Sequence, residues 1–450
     1  MRSIKQIQSI NGTYFNLYLD DTIIKEVKIT RVKRERDGTI YIILLDSNGK
    51  VIDEVYKYIN FYCNSYSINR REQIISALKL LYSFIELYDK SLYSLERKDI
   101  KNLSSFILGL TIDDESGNQI MGRGISTHNL YLDNIREFFK YLRIENEYLF
   151  EKRVVSSIRS GYGFLSHTKT VQTEKYSTNL KGNSIKDKVV PKYISLDEYR
   201  KIVKFIEENS GRNTLRNRII VELMYTTGMR LGEVLGLTLE DVKDNKDNPD
   251  FGVLYIRNRL TDKKYQNAKG CMKVKHLKDY FSKQYQKKDY GYQIINIGPE
   301  LYKLLKAYID ESRSVLELSE KVYNNMAFYA LADSVCNYKE NQYIFLNKNG
   351  YPLSSSGWNK FIKNVFKSLN IDLDEKNKQN NLSHRFRHGF AMYLIQIEGK
   401  SVEYVKNRMR HVSIQSTLVY YNPTEDEKLR AIEDLEKKLR NDINRENENE

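Results

Sequence analysis

Residues 13 to 63 alternate apolar and polar positions in TYFNLYL, TIIKEVKITRV and GTIYIILLD. A period of two is what a half-buried strand needs, and Asp20-Asp21, Asp37-Gly38 and Asn48-Gly49 supply turn residues between the runs. A β-rich module over residues 1–65 is predicted. From about residue 67 the period lengthens to that of helices: Ile74, Ile75, Leu78, Leu81, Tyr82 and Ile85 share one face. Leu130, Ile135, Phe138, Phe139 and Leu142 share another, behind the candidate caps Ser126 and Thr127. These two faces predict a helical domain over 66–152.

Residues 153–192 lose the hydrophobic period and turn polar and basic, closing on Pro191. About forty residues without periodicity exceed what a compact domain usually carries as loop, so they read as an interdomain linker. The next helix is announced by Ser195-Leu-Asp-Glu198, in which serine and glutamate can satisfy two orphan amides. Leu196, Tyr199, Ile202, Val203 and Ile206 form its apolar face. The remaining pattern to residue 425 is mostly helical, broken by strand-like GVLYIRNRL and YQIINIG. A charged tail over 426–450 carries Leu429, Ile432, Leu435 and Leu439 at helical spacing. The fold class expected is mainly α with small β elements, in several domains.

Composition narrows the partners. A chain of 450 residues with a net charge of +14 attracts polyanions through its summed field, which makes nucleic acid the first partner to consider. Cys63, Cys271 and Cys336 are far apart and odd in number, unsuited to zinc or to a disulfide framework, and read as reduced thiols. The first residues lack a signal-peptide pattern, and no apolar run approaches a membrane span. A bacterial cytoplasmic protein, on the nucleoid when bound to DNA, is expected. The abundance of tyrosine, 35 residues against five prolines, fits an AT-rich coding bias and carries no functional weight.

Candidate chemistry gathers in three places. In YTTGMRLGEVLGLTLEDV a helix should end near Gly228 and another begin after Arg230, with Glu233 on the same face to orient the guanidinium. In SHRFRHGFAMYL, His384 and Arg387 lie on one face at a helix start, where an arginine fork and amide dipoles suit phosphate oxygens. His388 follows His384 by one turn, yet neither a third ligand nor an acidic base accompanies the pair as a metal site would require. In RMRHVSIQSTLVYYNP, His411 precedes a short helix capped by Ser413 and ending in Tyr420-Tyr421. Nine residues separate His411 from Tyr420, enough for one helical element to return the hydroxyl toward the histidine.

Taken together, in order and spacing, these pieces resemble the tyrosine recombinases, the family of phage integrases, chromosome-dimer resolvases and integrases of conjugative transposons. The family's first arginine box is similar to TGMRLGEVLGL, its HxxRH box to His384 through His388, and its last box to Arg410-His411 through Tyr420. The last box departs from the family in having Arg410 where a glycine is usual. The resemblance covers about 190–422 by motif and implies a catalytic domain over 193–425, with 66–152 as a helical clamp on DNA. The family's hairpin lysine falls within an expanded segment here. Lys269 in NAKG is favoured, with Lys273 and Lys275 as competitors.

The resemblance implies strand cleavage without metal, ATP or other cofactor. Tyr420 would attack the scissile phosphate to give a 3′-phosphotyrosyl bond, and Arg230 and Arg387 would hold the non-bridging oxygens. His384 would act as base toward the tyrosine, since a phenol of pKa about 10 needs help at neutral pH. The hairpin lysine would protonate the leaving 5′ oxygen and His411 would hydrogen-bond the phosphate, with Glu233 and His388 supporting them from behind. Partners implied are double-stranded DNA, three further copies in a homotetramer on two sites, and an accessory DNA-bending or directionality factor. The task would be DNA recombination, integration or transposition of a mobile element. Two other readings stay open: an enzyme of the type IB topoisomerase or hairpin-resolvase kind, and a non-catalytic DNA-binding accessory protein. A metal-dependent transposase would need clustered carboxylates, and the sequence offers no such set.

Overall fold

The computed structural model describes residues 2–9, 12–36, 39–110, 120–158, 170–181, 190–259, 268–274, 277–317, 343–348, 350, 352–373 and 382–422, with positions 429, 432, 433 and 436. The Asp37-Gly38 turn, Cys336, Lys275 and most of the 426–450 tail lie outside the described residues. The chain divides into two compact units, Met1–Ile185 and Lys186–Glu450.

In the first unit, β1 (Arg2–Ser9), β2 (Gly12–Leu19) and β3 (Thr22–Val27) form an antiparallel sheet, and β4 (Thr30–Arg36) pairs with β5 (Thr39–Leu45). Asp20 and Asp21 both take positive φ, 46° and 65°, which is the backbone of a tight hairpin turn. Helices α1 (Asp53–Lys57), α2 (Ile68–Leu87), α3 (Arg97–Leu108), α4 (Ile125–Leu142) and α5 (Glu147–Phe150) follow. Gly124 rather than Ser126 or Thr127 caps α4, because its extended backbone starts the helix at Ile125, ahead of both. Sheet and helices share one core rather than forming the separate 1–65 and 66–152 domains expected. Phe15 of β2 packs on Phe106 of α3, and Phe106 on Phe84 of α2, at centroid distances of 5.0 and 5.8 Å. The inner face of so small a sheet finds cover only on the helices.

The described part of the expected linker over 153–192 is not all irregular. Strands β6 (Lys152–Ile158) and β7 (Thr170–Tyr176) pair antiparallel within it. Val154 is 63% exposed, so this ribbon buries too little to leave a hydrophobic period in the sequence. Arg136 of α4 anchors it. The guanidinium, 1% exposed, donates from Nε to the Leu149 carbonyl at 2.8 Å and from Nη2 to Asn179 Oδ1 at 3.0 Å. It also bonds Thr178 and Asp133 and lies 3.9 Å from the Tyr176 ring.

The second unit opens with α6 (Leu196–Asn209), whose Ser195–Glu198 box forms as read: Glu198 N donates to Ser195 Oγ at 3.2 Å and Ser195 N to Glu198 Oε2 at 2.8 Å. After α7 (Thr214–Thr227) and α8 (Leu231–Leu235) come β8 (Val242–Asp244), β9 (Gly252–Arg257) and β10 (Tyr292–Ile297), antiparallel in the order β10-β9-β8. The helices α9 (Pro299–Glu317), α10 (Ser355–Ser368), α11 (His384–Met392), α12 (Val402–Arg408) and α13 (Gln415–Leu418) complete it, with a 3-10 turn at Val419–Tyr421. Ile220, Leu223, Leu254, Ile256, Trp358 and Phe386 form its centre. The architecture is mainly α with small sheets, as the sequence predicts. Among the described residues no helix is long and apolar enough to cross a membrane.

Replacing Arg136 by Met should cost the first unit roughly 2–4 kcal/mol, because the buried Leu149 carbonyl and the part-buried Thr178 and Asn179 oxygens lose a charged donor at once. Urea unfolding of the full chain followed by β-ribbon protection in hydrogen exchange measures this. An unchanged midpoint with the ribbon still protected would show that Arg136 is not its anchor.

Candidate active site

The site is assembled from helix ends. Helix α7 stops at Gly228, which takes the left-handed φ of 64°. A Cβ there would come within 2.6 Å of the Phe390 ring, so both backbone and space require glycine. Two residues later Arg230 takes the N-cap position of α8 with extended backbone, as the sequence predicts. Glu233 accepts from the Arg230 amide at 2.9 Å and from its Nη1 at 2.7 Å.

A second arginine reaches the same carboxylate from the far end of the chain: Arg410 Nη2 donates to Glu233 Oε2 at 2.6 Å. Arg410 follows α12 in a left-handed conformation, φ 53°, with its amide on Asn407 O and the His411 amide on Lys406 O. This pair of bonds closes a helix in the manner that usually favours glycine, and a side chain there costs about 1–2 kcal/mol. The backbone thus keeps the geometry glycine would give, while the side chain adds a charge. Burial pushes the Glu233 carboxyl up, but Arg410, Arg230 and Arg387 outweigh it and hold the group below the usual carboxylate range.

Helix α11 supplies the centre. Trp358 Nε1 donates to Ser383 Oγ at 2.9 Å and so fixes the start of the helix that presents His384, Arg387 and His388. Arg387, 2% exposed, donates to the carbonyls of Gly228 and Met409. Both acceptors stand at helix C-termini, where the partial negative charge favours a guanidinium. Burial and the neighbouring Arg230 push its pKa down to about 9 despite Glu233.

Tyr420 lies in the 3-10 turn after α13, 4% exposed, with its hydroxyl 2.6 Å from His388 Nδ1. Burial pushes the phenol up to about 12 against the pull of Arg387 and Arg230. The sequence places His384 beside the tyrosine and His388 behind it; in the structure the ring nitrogen that meets the phenol is that of His388. His384 is the first residue of α11 and His388 lies one turn further on, so it is His388 that reaches the phenol, with ring centroids of the two histidines 5.4 Å apart. His411 donates or accepts at Thr417 Oγ1, 2.9 Å away, and its ring lies parallel to Tyr420 at 6.4 Å. Tyr421 is engaged elsewhere, its hydroxyl on the Lys400 carbonyl at 2.7 Å.

The described part of the segment between β9 and β10 is held by Asn258, which no motif in the sequence marks. Asn258, 1% exposed, accepts from the Ala268 amide and donates to the carbonyls of Ala268, Cys271 and Met272, all within 2.8–3.1 Å. Those bonds fix the turn that carries Lys269, which is exposed. The charge of Lys269 is felt by His384, whereas that of Lys273 acts on Cys271. Sequence alone hides Asn258 because an asparagine beside a strand end looks like any turn former. Among the described residues no group of three or more His, Cys, Asp or Glu could hold a metal ion.

Guanidinium groups, imidazoles and a phenol meeting at helix ends form a constellation suited to phosphoryl transfer onto a tyrosine. The family model described as the phage integrase family matches residues 192–427, and the chain belongs to that family. It is a tyrosine recombinase, with a mainly α, multidomain architecture. It is 25% identical to Transposase A from transposon Tn554 of Staphylococcus aureus over 90% of this chain and 96% of that one. It is 24% identical to the tyrosine recombinase XerD of Halalkalibacterium halodurans, over 66% and 79% of the two chains. Among solved structures, the post-cleavage complex of the XerH site-specific recombinase with palindromic difH substrate matches with a TM-score of 0.49 and 18% identity, over 82% and 79%.

His384 and His411 are pushed down to about 4 and His388 to about 3, in each case by burial first and then by neighbouring cationic groups. All three should stay neutral to near pH 5. The unfolded chain binds their protons below about pH 6.5, so folded stability falls as pH drops through that point. Selective histidine labelling and NMR titration, assigned with His→Gln variants, checks this. An imidazole of the three titrating above pH 6 would contradict the burial argument.

Proposed function

We propose that this recombinase breaks and rejoins DNA for a mobile element, using Tyr420 as nucleophile. The observation that carries the reading is the hydrogen bond between Tyr420 and His388 beside the Arg230–Glu233–Arg387 cluster. Tyr420 Oη attacks the scissile phosphorus while His388 takes the phenolic proton. The new P–O bond forms as the bond to the 5′ oxygen breaks, and Lys269 gives that oxygen its proton. One phosphodiester replaces another, so the bond energy is kept and resealing needs no ATP. Arg230 and Arg387 hold the non-bridging oxygens as negative charge grows, a role suited to planar bidentate donors. His411 adds a hydrogen bond, and His384 stands one turn before His388 on α11 with the two rings 5.4 Å apart.

Double-stranded DNA is the substrate, favoured also by the net charge of +14. Exchange between two duplexes breaks four strands, and each chain has one such tyrosine, so four copies act on two sites. An accessory DNA-bending or directionality factor fits this assembly. The mobile-element role is supported by likeness along nearly the whole length to a transposase, and over 87% of the chain to the prophage ps2 probable integrase of Lactococcus lactis at 25% identity.

Nicked duplexes tiled across the ends of the DNA element that carries the gene should trap a covalent adduct, and the adduct should form in EDTA. His388→Ala should slow its formation more than His384→Ala. Loss of cleavage on chelation with rescue by magnesium would overturn the mechanism. A His388→Ala rate equal to wild type would overturn the base assignment alone.

A further inference from the structure

We propose that Arg410 is a positioning residue for strand cleavage: it holds the Glu233 carboxylate aimed and ionised, and through it fixes the guanidinium of Arg230. The inference rests on the reading of Arg230 as a phosphate-holding residue.

Three donors meet the Glu233 carboxylate. Arg230 supplies its amide to Oε2 and its Nη1 to Oε1, and Arg410 shares Oε2 through Nη2. Without Arg410, the buried Oε2 keeps only a backbone amide, and the carboxylate loses the contact that opposes the Arg230 side chain. The side chain of Glu233 has no exposure at all, so its donors are protein groups rather than solvent. Arg410 and Arg230 keep 12% and 19% exposure, which places their outer nitrogens at the border of the pocket.

The backbone argues that the side chain is there for this contact. Arg410 occupies a left-handed position that glycine would occupy without strain, so nothing in the local chain geometry calls for a long cationic residue. The same short stretch also presents the Met409 carbonyl to Arg387 and leads directly into His411. Residues 409–411 therefore touch Arg387, Glu233 and the tyrosine-bearing segment in succession.

The groups facing Glu233 are Arg230 on its own helix, Arg387 and His384 from α11, Arg410 from the turn after α12, and Cys271 from the hairpin. Of the charges that oppose burial of the carboxylate, Arg410 comes first. Its removal raises the carboxyl pKa. The acid then protonates at a higher pH, and Arg230 loses its acceptor as pH falls through that value.

The test compares wild type, Arg410→Gly, Arg410→Lys and Arg230→Ala on the nicked duplex that wild type attacks, with adduct rates taken from about pH 5 to about pH 9 and thermal midpoints as a folding control. Arg410→Gly should cleave roughly ten- to a hundredfold more slowly near neutral pH, with the acid limb of its rate profile moved to higher pH. Arg410→Lys restores a cation that can reach Glu233 and should bring the limb part of the way back. Wild-type rate in Arg410→Gly, or a slow rate with an unmoved limb that lysine does not rescue, would overturn the proposal. Wild-type rate in Arg230→Ala would instead overturn the reading of Arg230, so the two failures are told apart.

Discussion

The catalytic unit depends on one buried carboxylate. Arg230, Arg387 and Arg410 all act on Glu233, and guanidinium groups gathered in one pocket repel each other. Two like charges 5 Å apart at an effective dielectric of 20 cost about 3 kcal/mol, enough to scatter such a cluster unless anions offset it. Glu233 supplies the full negative charge, and the helix-end carbonyls of Gly228 and Met409 supply partial ones. A phosphate brought among these groups finds donors that are already oriented, which is how preorganised electrostatics lowers a barrier.

The placement of those groups follows from where the chain can turn. The left-handed residues at 228 and 410 end α7 and α12, each leaving a carbonyl that Arg387 can reach. A small apolar cluster of Phe390, Met392, Leu394, Val405, Met409 and Tyr420 then holds α11, α12 and the tyrosine segment together. The nucleophile is thus part of a hydrophobic contact and part of a polar site. Its neighbour Tyr421, turned toward the Lys400 carbonyl, works as a strut.

Much of the catalytic unit was legible from the sequence because its signals are local. Ser195 with Glu198, Gly228 before Arg230, and His384 at a helix start each declare themselves within a few residues, and each stands where it was expected. What was hidden depends on contacts across the chain. Arg410 meets Glu233 over a separation of 177 residues, and no spacing rule reports that. The exchange between His384 and His388 turns on a single helical step, which the motif could not resolve without knowing where Tyr420 lies. The β6–β7 ribbon escaped because its faces are wet, and the shared core of the first unit because a sheet's pattern does not name what covers it.

The central claim is that one particular phenol becomes linked to DNA. Tryptic digestion of the trapped adduct, nuclease trimming and tandem mass spectrometry would locate the nucleotide on the peptide that spans residues 411–428. The account predicts attachment at Tyr420, whose hydroxyl shares a hydrogen bond with His388. Attachment at Tyr421, or at a residue outside this turn, would contradict it.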